Sequence, residues 1–441
     1  MASLARLVRP LVVGHLVLAT AAVAQAAPAA AEEQTPLAGL VARLLASDPG
    51  GGRRKAVERI AHGPWSFDEV YRELREHRSY AADVKVGLVE GSHSVGGLTH
   101  PYLLVVPRSY TPTRRYPVRV HLHGAVDRNA EAQIPQLRRP ERFLSEDRIT
   151  ILPAAWSESR WWQASQVENV TGILRTVKRT YNVDENRVSL MGISDGGTGT
   201  WYFAFRCPTP WASYLSFIGS PSVLANPSSG TQGAIFLVNL AGKSILAING
   251  KTDTLYPAEA LRPAMEAFRK AGADVTFEVE PGGHDTEWWP RRAGQIDAFV
   301  DAHPRDPLPD RVAWATDRTD RAKRSSWVVI DELDQAAPKK LAVLGDEPRH
   351  SGGVSVVRLG NTVEAVAIGV RRYRLLLSPE KFDFGRDVVV STNGRESFRG
   401  RVVPSLYALL EWAAEDVDRA MLFAAQLEIV VPRALSPVEP R

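Results

Sequence analysis

The sequence predicts an α/β protein whose mostly parallel sheet is covered by helices on both faces, followed by a C-terminal β-rich, sandwich-like domain. Two observations predict this fold class. Between residues 84 and 302, short apolar runs alternate with segments of helical periodicity. Beyond the Pro- and Asp-rich stretch 304–309, short β-type runs are separated by turn residues such as Asn393-Gly394.

The N-terminus has the features of a secretory signal peptide. Two arginines precede an apolar run at residues 11–24, and Ala24-Gln25-Ala26 fits the small-residue cleavage site. The run is short for a helix that spans a bilayer. We therefore expect residues 1–26 to be removed, the protein to be secreted or periplasmic, and no stable membrane insertion to follow cleavage.

Three regions are expected after the signal peptide. Residues 27–79 are predicted to form a linker and an N-terminal helical region, which Asp48-Pro49-Gly50 and Gly63-Pro64 interrupt. Residues 80–308 are predicted to form the α/β domain, and residues 309–436 an accessory β-rich domain.

The elements follow in order along these regions. In the α/β domain we expect strands at 84–89, 100–106, 118–121, 149–153, 187–191, 244–248 and 275–279, and helices at 167–181, 196–206, 258–271 and 290–302. In the accessory domain we expect strands at 326–330, 353–359, 362–368, 373–377 and 388–391, a helix at 404–417 and a last apolar run at 422–431.

A nucleophile-elbow motif lies between a predicted strand and a predicted helix. Gly192-Ile193-Ser194-Asp195-Gly196 matches the pattern Gly-x-Ser-x-Gly. In such a turn the glycines let two backbone segments pass closely, and the helix directs its positive N-terminus at a developing oxyanion. A Gly-rich turn around a structural serine can produce the same motif, but the strand–turn–helix context favours Ser194 as a nucleophile.

Two further candidates follow later strands. Asp253 comes after the strand at 244–248, and His284 comes after the strand at 275–279. Ser, Asp, His is the order in which a catalytic triad occurs along a chain with this elbow. We expect His284 to act as general base and Asp253 to hold its tautomer. In the alternative interpretation, Asp253 caps the next helix and His284 is a surface residue.

An oxyanion loop is predicted at the end of an early strand, in the stretch from His121 to Ala125. Its histidine and glycine are similar to those of the oxyanion loop in lipases and esterases. The expected donors are the backbone amides of Asp195 and of either Gly124 or Ala125. The histidine pair could instead suggest a metal site, but no third ligand with suitable spacing follows. We expect neither a metal nor an organic cofactor.

Four tryptophans are candidates for the walls of the substrate-binding site, and core packing is the alternative for each. They are Trp161, Trp162, Trp288 and Trp289. The single cysteine, Cys207, ends an apolar helix, and we expect it to be a small buried hydrophobe rather than a nucleophile.

Composition and charge are those of an ordinary globular protein. Hydrophobic residues make up 44% and charged residues 24% of the 441-residue chain. The 54 basic and 50 acidic side chains give a formal net charge of +4. These charges are spread along the chain without a basic stripe, so we expect no nucleic-acid partner. The sequence indicates no oligomeric state.

Residues from about 80 to 308 resemble the esterase and polyhydroxybutyrate-depolymerase-like branch of the α/β hydrolases, which overlaps with prolyl-oligopeptidase-like peptidases. The resemblance is carried by Pro101-Tyr102 to Val106-Pro107, Tyr116-Pro117, His121 to Gly124, Asn186-Arg187-Val188 to Gly197, and Gly283-His284. It implies an α/β-hydrolase fold, a triad of Ser194, Asp253 and His284, and an oxyanion loop at His123-Gly124-Ala125. The chain departs from many family members at Asp195, where they have Gly or Met. Residues from about 310 to 435 resemble an accessory β domain of secreted bacterial hydrolases.

The sequence therefore predicts a secreted serine hydrolase of the carboxylic ester hydrolase type, which acts through an acyl-enzyme on Ser194. Its expected partner is an ester-bearing small molecule, or a polysaccharide or polyester substrate. A serine peptidase of the prolyl-oligopeptidase-like type is the first alternative. An inactive polysaccharide-binding module on a hydrolase scaffold is the second.

Overall fold

The computed structural model describes residues 36–133, 143–334 and 341–431. The predicted signal peptide lies outside the described residues, as do most of the predicted linker and the last residues of the predicted accessory domain. Residues 36–441 group into one unit by their contacts, and the predicted domain boundaries within it stay predictions.

In the described ranges the α-helices come in three groups: three N-terminal helices, six among the strands of the large sheet, and one near the C-terminus. They are α1 Pro36–Ala46, α2 Gly51–Ala61, α3 Phe67–Arg75, α4 Ala130–Gln133, α5 Ala164–Thr180, α6 Asp195–Arg206, α7 Ser222–Ala225, α8 Ala258–Lys270, α9 Trp289–Ala302 and α10 Leu406–Asp416. In the described part of the chain, none of the helices has the length and apolarity that a membrane span requires.

The strands before residue 300 are β1 Gly87–Val95, β2 Leu98–Val106, β3 Tyr116–Leu122, β4 Ile149–Pro153, β5 Val183–Ile193, β6 Ser213–Phe217, β7 Ile235–Phe236, β8 Ser244–Gly250 and β9 Asp274–Glu280. The strands after it are β10 Arg311–Thr316, β11 Arg324–Ser325, β12 Val328–Leu333, β13 Val343–Leu344, β14 Gly352–Leu359, β15 Thr362–Ile368, β16 Val370–Leu377, β17 Val388–Thr392, β18 Arg395–Gly400 and β19 Ala425–Val430.

Eight strands form the large sheet, in the order β1-β2-β4-β3-β5-β6-β8-β9. The pairings β1·β2 and β2·β4 are antiparallel. All the others, from β4·β3 to β8·β9, are parallel. The carboxyl ends of β3, β5, β8 and β9 therefore meet at one edge of the sheet, which is where ligands bind in open α/β sheets.

Helices cover both faces of this sheet because the side chains of its central strands point alternately into two hydrophobic clusters. Leu190 and Tyr214 belong to the cluster under α5, α6 and α8. Their neighbours Met191 and Leu215 belong to the cluster under α9. Successive side chains of a strand point to opposite faces, so each apolar run supplies two cores. The predicted fold class is confirmed.

The C-terminal β-rich part is a sandwich of two sheets. One sheet has the order β10-β14-β15-β17-β18 and the other β11-β12-β16-β19. Inward-facing residues of both sheets, among them Val354 and Leu375, share one hydrophobic core. A short antiparallel pairing of β7 with β13 joins this part to the segment that follows α6 and β6.

Helix α10 touches the sandwich core through Trp412 but buries most of its apolar residues elsewhere. Its buried residues Leu409 and Leu410 pack with apolar residues of α1, α2 and α3, including Leu44 and Val70. The helical interruption predicted within the accessory domain is therefore confirmed as a helix, but it completes the core of the N-terminal helices.

Strand β6 was not predicted, although it lies in the middle of the large sheet. Its sequence, Ser-Tyr-Leu-Ser-Phe, has a serine at every third position and is only five residues long. Both serines are buried, and the hydroxyl of Ser216 donates to the carbonyl of Gly197 at 3.0 Å. A buried serine with a local backbone partner is compatible with a core strand, but its polarity hides the strand from hydrophobic patterning.

Candidate active site

Ser194 occupies a sharp turn between β5 and α6. Its backbone has φ 56° and ψ −119°, outside the regions that non-glycine residues usually adopt. The turn is held on both sides, because the Ser194 amide donates to Phe217 at 2.9 Å and its carbonyl accepts from Thr198 at 3.0 Å. Strain maintained by the surrounding structure is typical of functional positions.

Glycines at both ends of the elbow permit this turn. A Cβ on Gly192 would lie 2.0 Å from the carbonyl oxygen of Gly196, and a Cβ on Gly196 would lie 1.9 Å from that of Leu122. Neither distance is possible for a side chain. The Gly-x-Ser-x-Gly spacing is therefore required by the close passage of β3, β5 and α6.

Ser194, His284 and Asp253 are joined by two short hydrogen bonds. The Ser194 Oγ lies 2.8 Å from the His284 Nε2, and the His284 Nδ1 lies 2.8 Å from the Asp253 Oδ2. The Asp253 side chain is fully buried, whereas 22% of the His284 side chain is exposed. The structure thus brings together three residues that are up to 90 positions apart in the sequence.

The surroundings of Asp253 determine the tautomer of the histidine. Its Oδ1 accepts from the amides of Leu255 at 2.8 Å and Tyr256 at 2.9 Å. The carboxylate is an acceptor only, so the proton of a neutral His284 lies on Nδ1. The Nε2 is then free to accept the hydroxyl proton of Ser194.

Tyr256 and Asp285 also lie beside the histidine. The Tyr256 ring meets the imidazole edge-on, with 5.5 Å between centroids. Burial raises the pKa of the Tyr256 hydroxyl to about 12, so the ring is a neutral wall. The Asp285 carboxylate accepts from the amides of Gly283 and Glu287, so it shapes the turn around His284.

Asp195 connects the elbow to the predicted oxyanion loop. Its Oδ2 accepts from the Val126 amide at 3.0 Å. Burial raises the pKa of this carboxyl group. As the first residue of α6, Asp195 has an amide without an intrahelical acceptor. The amide therefore stays available at the helix N-terminus, while the side chain holds the loop.

Gly124 and Ala125 lie between Ser194 and the hydrogen bond that joins Val126 to Asp195. A Cβ on Gly124 would be 3.1 Å from the Ser194 Cβ and 3.7 Å from its Oγ. Ala125 has a left-handed φ of 57°. Because the Val126 amide donates to Asp195, the amides of Gly124 and Ala125 are the remaining candidate donors of this loop. The structure brings the predicted donors together, and the choice between Gly124 and Ala125 stays open.

His123 braces the same loop from behind. Its Nε2 lies 3.1 Å from the Ala155 amide, which donates to it, and its Nδ1 lies 2.8 Å from the Gly124 carbonyl. Because the Nε2 accepts from Ala155 it carries no proton, so the ring is neutral with its proton on Nδ1, which also lies 2.8 Å from the side-chain amide of Gln133. Removal from water lowers the pKa of His123 from the ordinary 6.5 to about 4, in agreement with that bonding.

Three of the four tryptophans that were candidates for the walls of the substrate-binding site lie in the core. Trp161, Trp162 and Trp288 are 0%, 5% and 2% exposed. Their indole N–H groups donate to the carbonyls of His123, Ser229 and Asp285, respectively. Trp289 is partly buried against Phe217 and His121. Burial corrects the expectation for the first three, because it favours packing over contact with a substrate in this structure.

Cys207 and the histidines of the predicted oxyanion loop each have apolar or aromatic neighbours. Burial raises the pKa of the Cys207 thiol to about 12, so it stays protonated. His121 stacks on Phe143, whereas His123 contacts Trp161. Within the described ranges, no group of three or more His, Cys, Asp and Glu side chains is arranged to hold a metal ion.

Sequence reasoning missed the side chains that support the site. These are the Asp195 carboxylate, the bracing ring of His123 and the wall formed by Tyr256. An acidic residue directly after the elbow serine, with a backbone turn opposite it, is a signal that could have identified the first. The others depend on contacts between segments that are distant in the sequence.

The large sheet, the elbow after β5 and the chain order Ser, Asp, His define an α/β-hydrolase fold. The chain matches no family model and no curated protein. Solved structures to which it is similar include a thermostable esterase (20% identity, TM-score 0.39) and a Bacteroides ovatus structure named for dipeptidyl aminopeptidase IV (17%, 0.41). A third is a ferulic acid esterase (19%, 0.36).

These similarities concern about half of the chain. They cover 49%, 49% and 48% of it, respectively. The chain in turn spans 63% of the thermostable esterase and 36% of the Bacteroides ovatus protein, but 96% of the ferulic acid esterase. At such low identity and TM-score these similarities do not indicate an activity, which depends on the residues of the site.

Proposed function

We propose that this protein is a serine hydrolase of the carboxylic ester hydrolase type, with Ser194 as nucleophile. The observation that carries the proposal is the continuous hydrogen-bonded chain from the Ser194 Oγ through His284 to Asp253. A serine hydroxyl is a weak nucleophile by itself, and an adjacent base oriented by a third group is the arrangement that activates it.

The reaction begins when the Ser194 Oγ attacks the acyl carbon and its proton moves to the His284 Nε2. The imidazolium that forms is stabilised by the buried Asp253 carboxylate at 2.8 Å. His284 then gives the proton to the leaving alcohol, and an acyl-enzyme remains. Water attacks this ester with His284 again as base, which releases the carboxylic acid and restores Ser194.

The negative charge of each tetrahedral intermediate needs donors close to Ser194. The Asp195 amide at the N-terminus of α6 is one, and the amide of Gly124 or Ala125 is the other. Such preorganised amides typically account for a factor of about 10²–10³ each in kcat. The Asp195 side chain supports them through its hydrogen bond to Val126.

The proposed substrates are short acyl esters or ester groups on polysaccharides and polyesters. We propose further that the protein acts outside the cytoplasm, as its N-terminal sequence suggests. N-terminal sequencing of the protein from the culture medium or periplasm of its source would test this, with a first residue of Ala27 expected.

An activity comparison tests the proposed reaction. We expect the protein to hydrolyse p-nitrophenyl acetate faster than aminoacyl-proline p-nitroanilides. Ser194→Ala should abolish turnover, whereas Ser228→Ala, which changes an exposed serine, should not alter it. If only the anilides were hydrolysed, the serine peptidase alternative would replace the proposed esterase activity.

A further inference from the structure

A large cavity lies far from Ser194, and we call it the distal cavity. It has a volume of about 840 Å³, and its walls come from α2, α5, the end of α6, residues 321–324, α10 and the segment that follows α10. Ser194, Asp253 and His284 are not among its lining residues. Cys207 in its wall follows the last residue of α6, so at 1.5 Å per residue it is about 18 Å from the elbow.

The distal cavity is lined by ten Lys and Arg side chains but only five Asp and Glu side chains. Most of the cations are neutralised by neighbours. The pairs are Arg53–Glu415, Arg54–Glu58, Lys178–Asp418, Arg206–Asp317, Arg305–Asp418, Arg321–Asp320, Arg324–Asp416 and Arg374–Asp331.

Two cations remain after this pairing, Arg175 and Lys323. Both side chains are half-buried. Neither makes a side-chain hydrogen bond or an ion pair with the residues that the structure describes, although Arg175 is within electrostatic range of Glu415. A half-buried cation without a partner loses hydration without compensation. An anionic group bound in the cavity would offer such cations charge-assisted hydrogen bonds.

The same cavity also has an apolar surface. On one side the half-buried Val167 lines it from α5. On the other side the half-buried Trp412 of α10 presents its indole, with the Arg324 guanidinium 4.4 Å from the ring centroid. A volume of several hundred cubic ångströms with an apolar wall and a few charged groups is typical of small-molecule sites.

We propose that the distal cavity binds an amphiphilic organic anion. Arg175 and Lys323 hold its head group, and its apolar body lies against Val167 and Trp412. The site is separate from the Ser194 site, so it does not depend on the proposed hydrolase activity.

Binding of 1-anilinonaphthalene-8-sulfonate, which is an anion with an apolar body, tests the proposal by fluorescence. The full-length mature protein carrying Ser194→Ala is titrated, so that no reaction at Ser194 contributes. We expect saturable binding with one site, whose Kd rises at least tenfold in the double variant Arg175→Gln, Lys323→Gln. Arg175→Lys, which keeps the charge, should bind within about twofold of the parent.

The matched control is Lys55→Gln, because Lys55 is an exposed cation on α2 that does not line the cavity. It should leave the Kd unchanged. In competition we expect octanoate to displace the probe, and neither 1-octanol nor inorganic phosphate to do so at equal concentration. This competition uses the parent protein, so it holds even if the double variant does not fold.

Three results would overturn the proposal. An unchanged Kd in a folded double variant would place the probe elsewhere. Displacement by 1-octanol as effectively as by octanoate would remove the role of the charge. Displacement by phosphate as effectively as by octanoate would remove the role of the apolar wall.

Discussion

At the scale of single residues, one conservative substitution can test the role of the Asp253 carboxylate. An asparagine there can keep the acceptor for Leu255 and Tyr256, but it turns an amide N–H towards the His284 Nδ1. The histidine is then forced to carry its proton on Nε2, where it cannot accept from Ser194.

We therefore expect Asp253→Asn to lower kcat about 10³–10⁴-fold without unfolding the protein. Steady-state kinetics with p-nitrophenyl acetate measure this effect. Asp285→Asn is the matched control, because that carboxylate bonds only to turn amides near the same histidine. Equal losses in the two variants would argue that Asp253 does not orient His284.

Protonation of His123, which supports the oxyanion loop, makes the stability of the folded protein depend on pH. Its pKa of about 4 in the folded protein is below the ordinary 6.5, so the unfolded chain binds a proton more readily between these values. The neutral ring thus contributes stability that is complete above pH 6.5 and is lost as the pH falls towards 4. The largest contribution is roughly 3 kcal/mol.

Urea unfolding at several pH values measures this contribution. We expect the free energy of unfolding of His123→Gln to fall less steeply than that of the wild type between pH 6.5 and 4. His62→Gln, which changes an exposed histidine of the N-terminal region, should follow the wild type. Parallel curves for wild type and His123→Gln would show that the ring is not held neutral by the fold.

At the scale of elements, the elbow depends on how closely β3, β5 and α6 approach one another. We expect Gly196→Ala to destabilise the protein by at least about 2 kcal/mol, because its Cβ would meet the Leu122 carbonyl. Gly294→Ala in α9 has open space around its Cβ, so it should be neutral or stabilise by up to about 1 kcal/mol. Thermal unfolding measures the midpoints of the two variants. Similar midpoints for Gly196→Ala and Gly294→Ala would contradict the close approach of α6 to β3.

Element prediction from the sequence succeeded where periodicity and turn chemistry agree. The expected strands at 149–153 and 362–368 coincide with β4 and β15. It failed at β6, whose buried serines disguise a central strand. The two-residue strands β7 and β13 are determined by their pairing with each other rather than by local preference, so no local pattern could reveal them.

At the scale of the whole molecule, what the sequence could not predict is the packing between distant segments. Residue order and the elbow motif were enough to name Ser194, Asp253 and His284, since each follows its own strand at one sheet edge. The packing of α10 on the N-terminal helices could not be predicted, because it joins segments more than 300 residues apart. Nor could the burial of Asp418 between Lys178 and Arg305.

The packing between distant segments also favours the core interpretation of Trp161, Trp162 and Trp288 over the pocket interpretation. An aromatic residue beside a catalytic motif can line a pocket or fill a core, and the sequence around it is alike in both cases. Only the burial of the folded chain distinguishes them.

Labelling of the mature protein and of Ser194→Ala with a fluorophosphonate probe tests directly whether Ser194 is an activated nucleophile. We expect a single covalent label on the wild type, at Ser194, and none on the variant. Absence of labelling on the folded wild type, or equal labelling of both proteins, would contradict an activated Ser194. Absence of labelling would favour the alternative of an inactive polysaccharide-binding module.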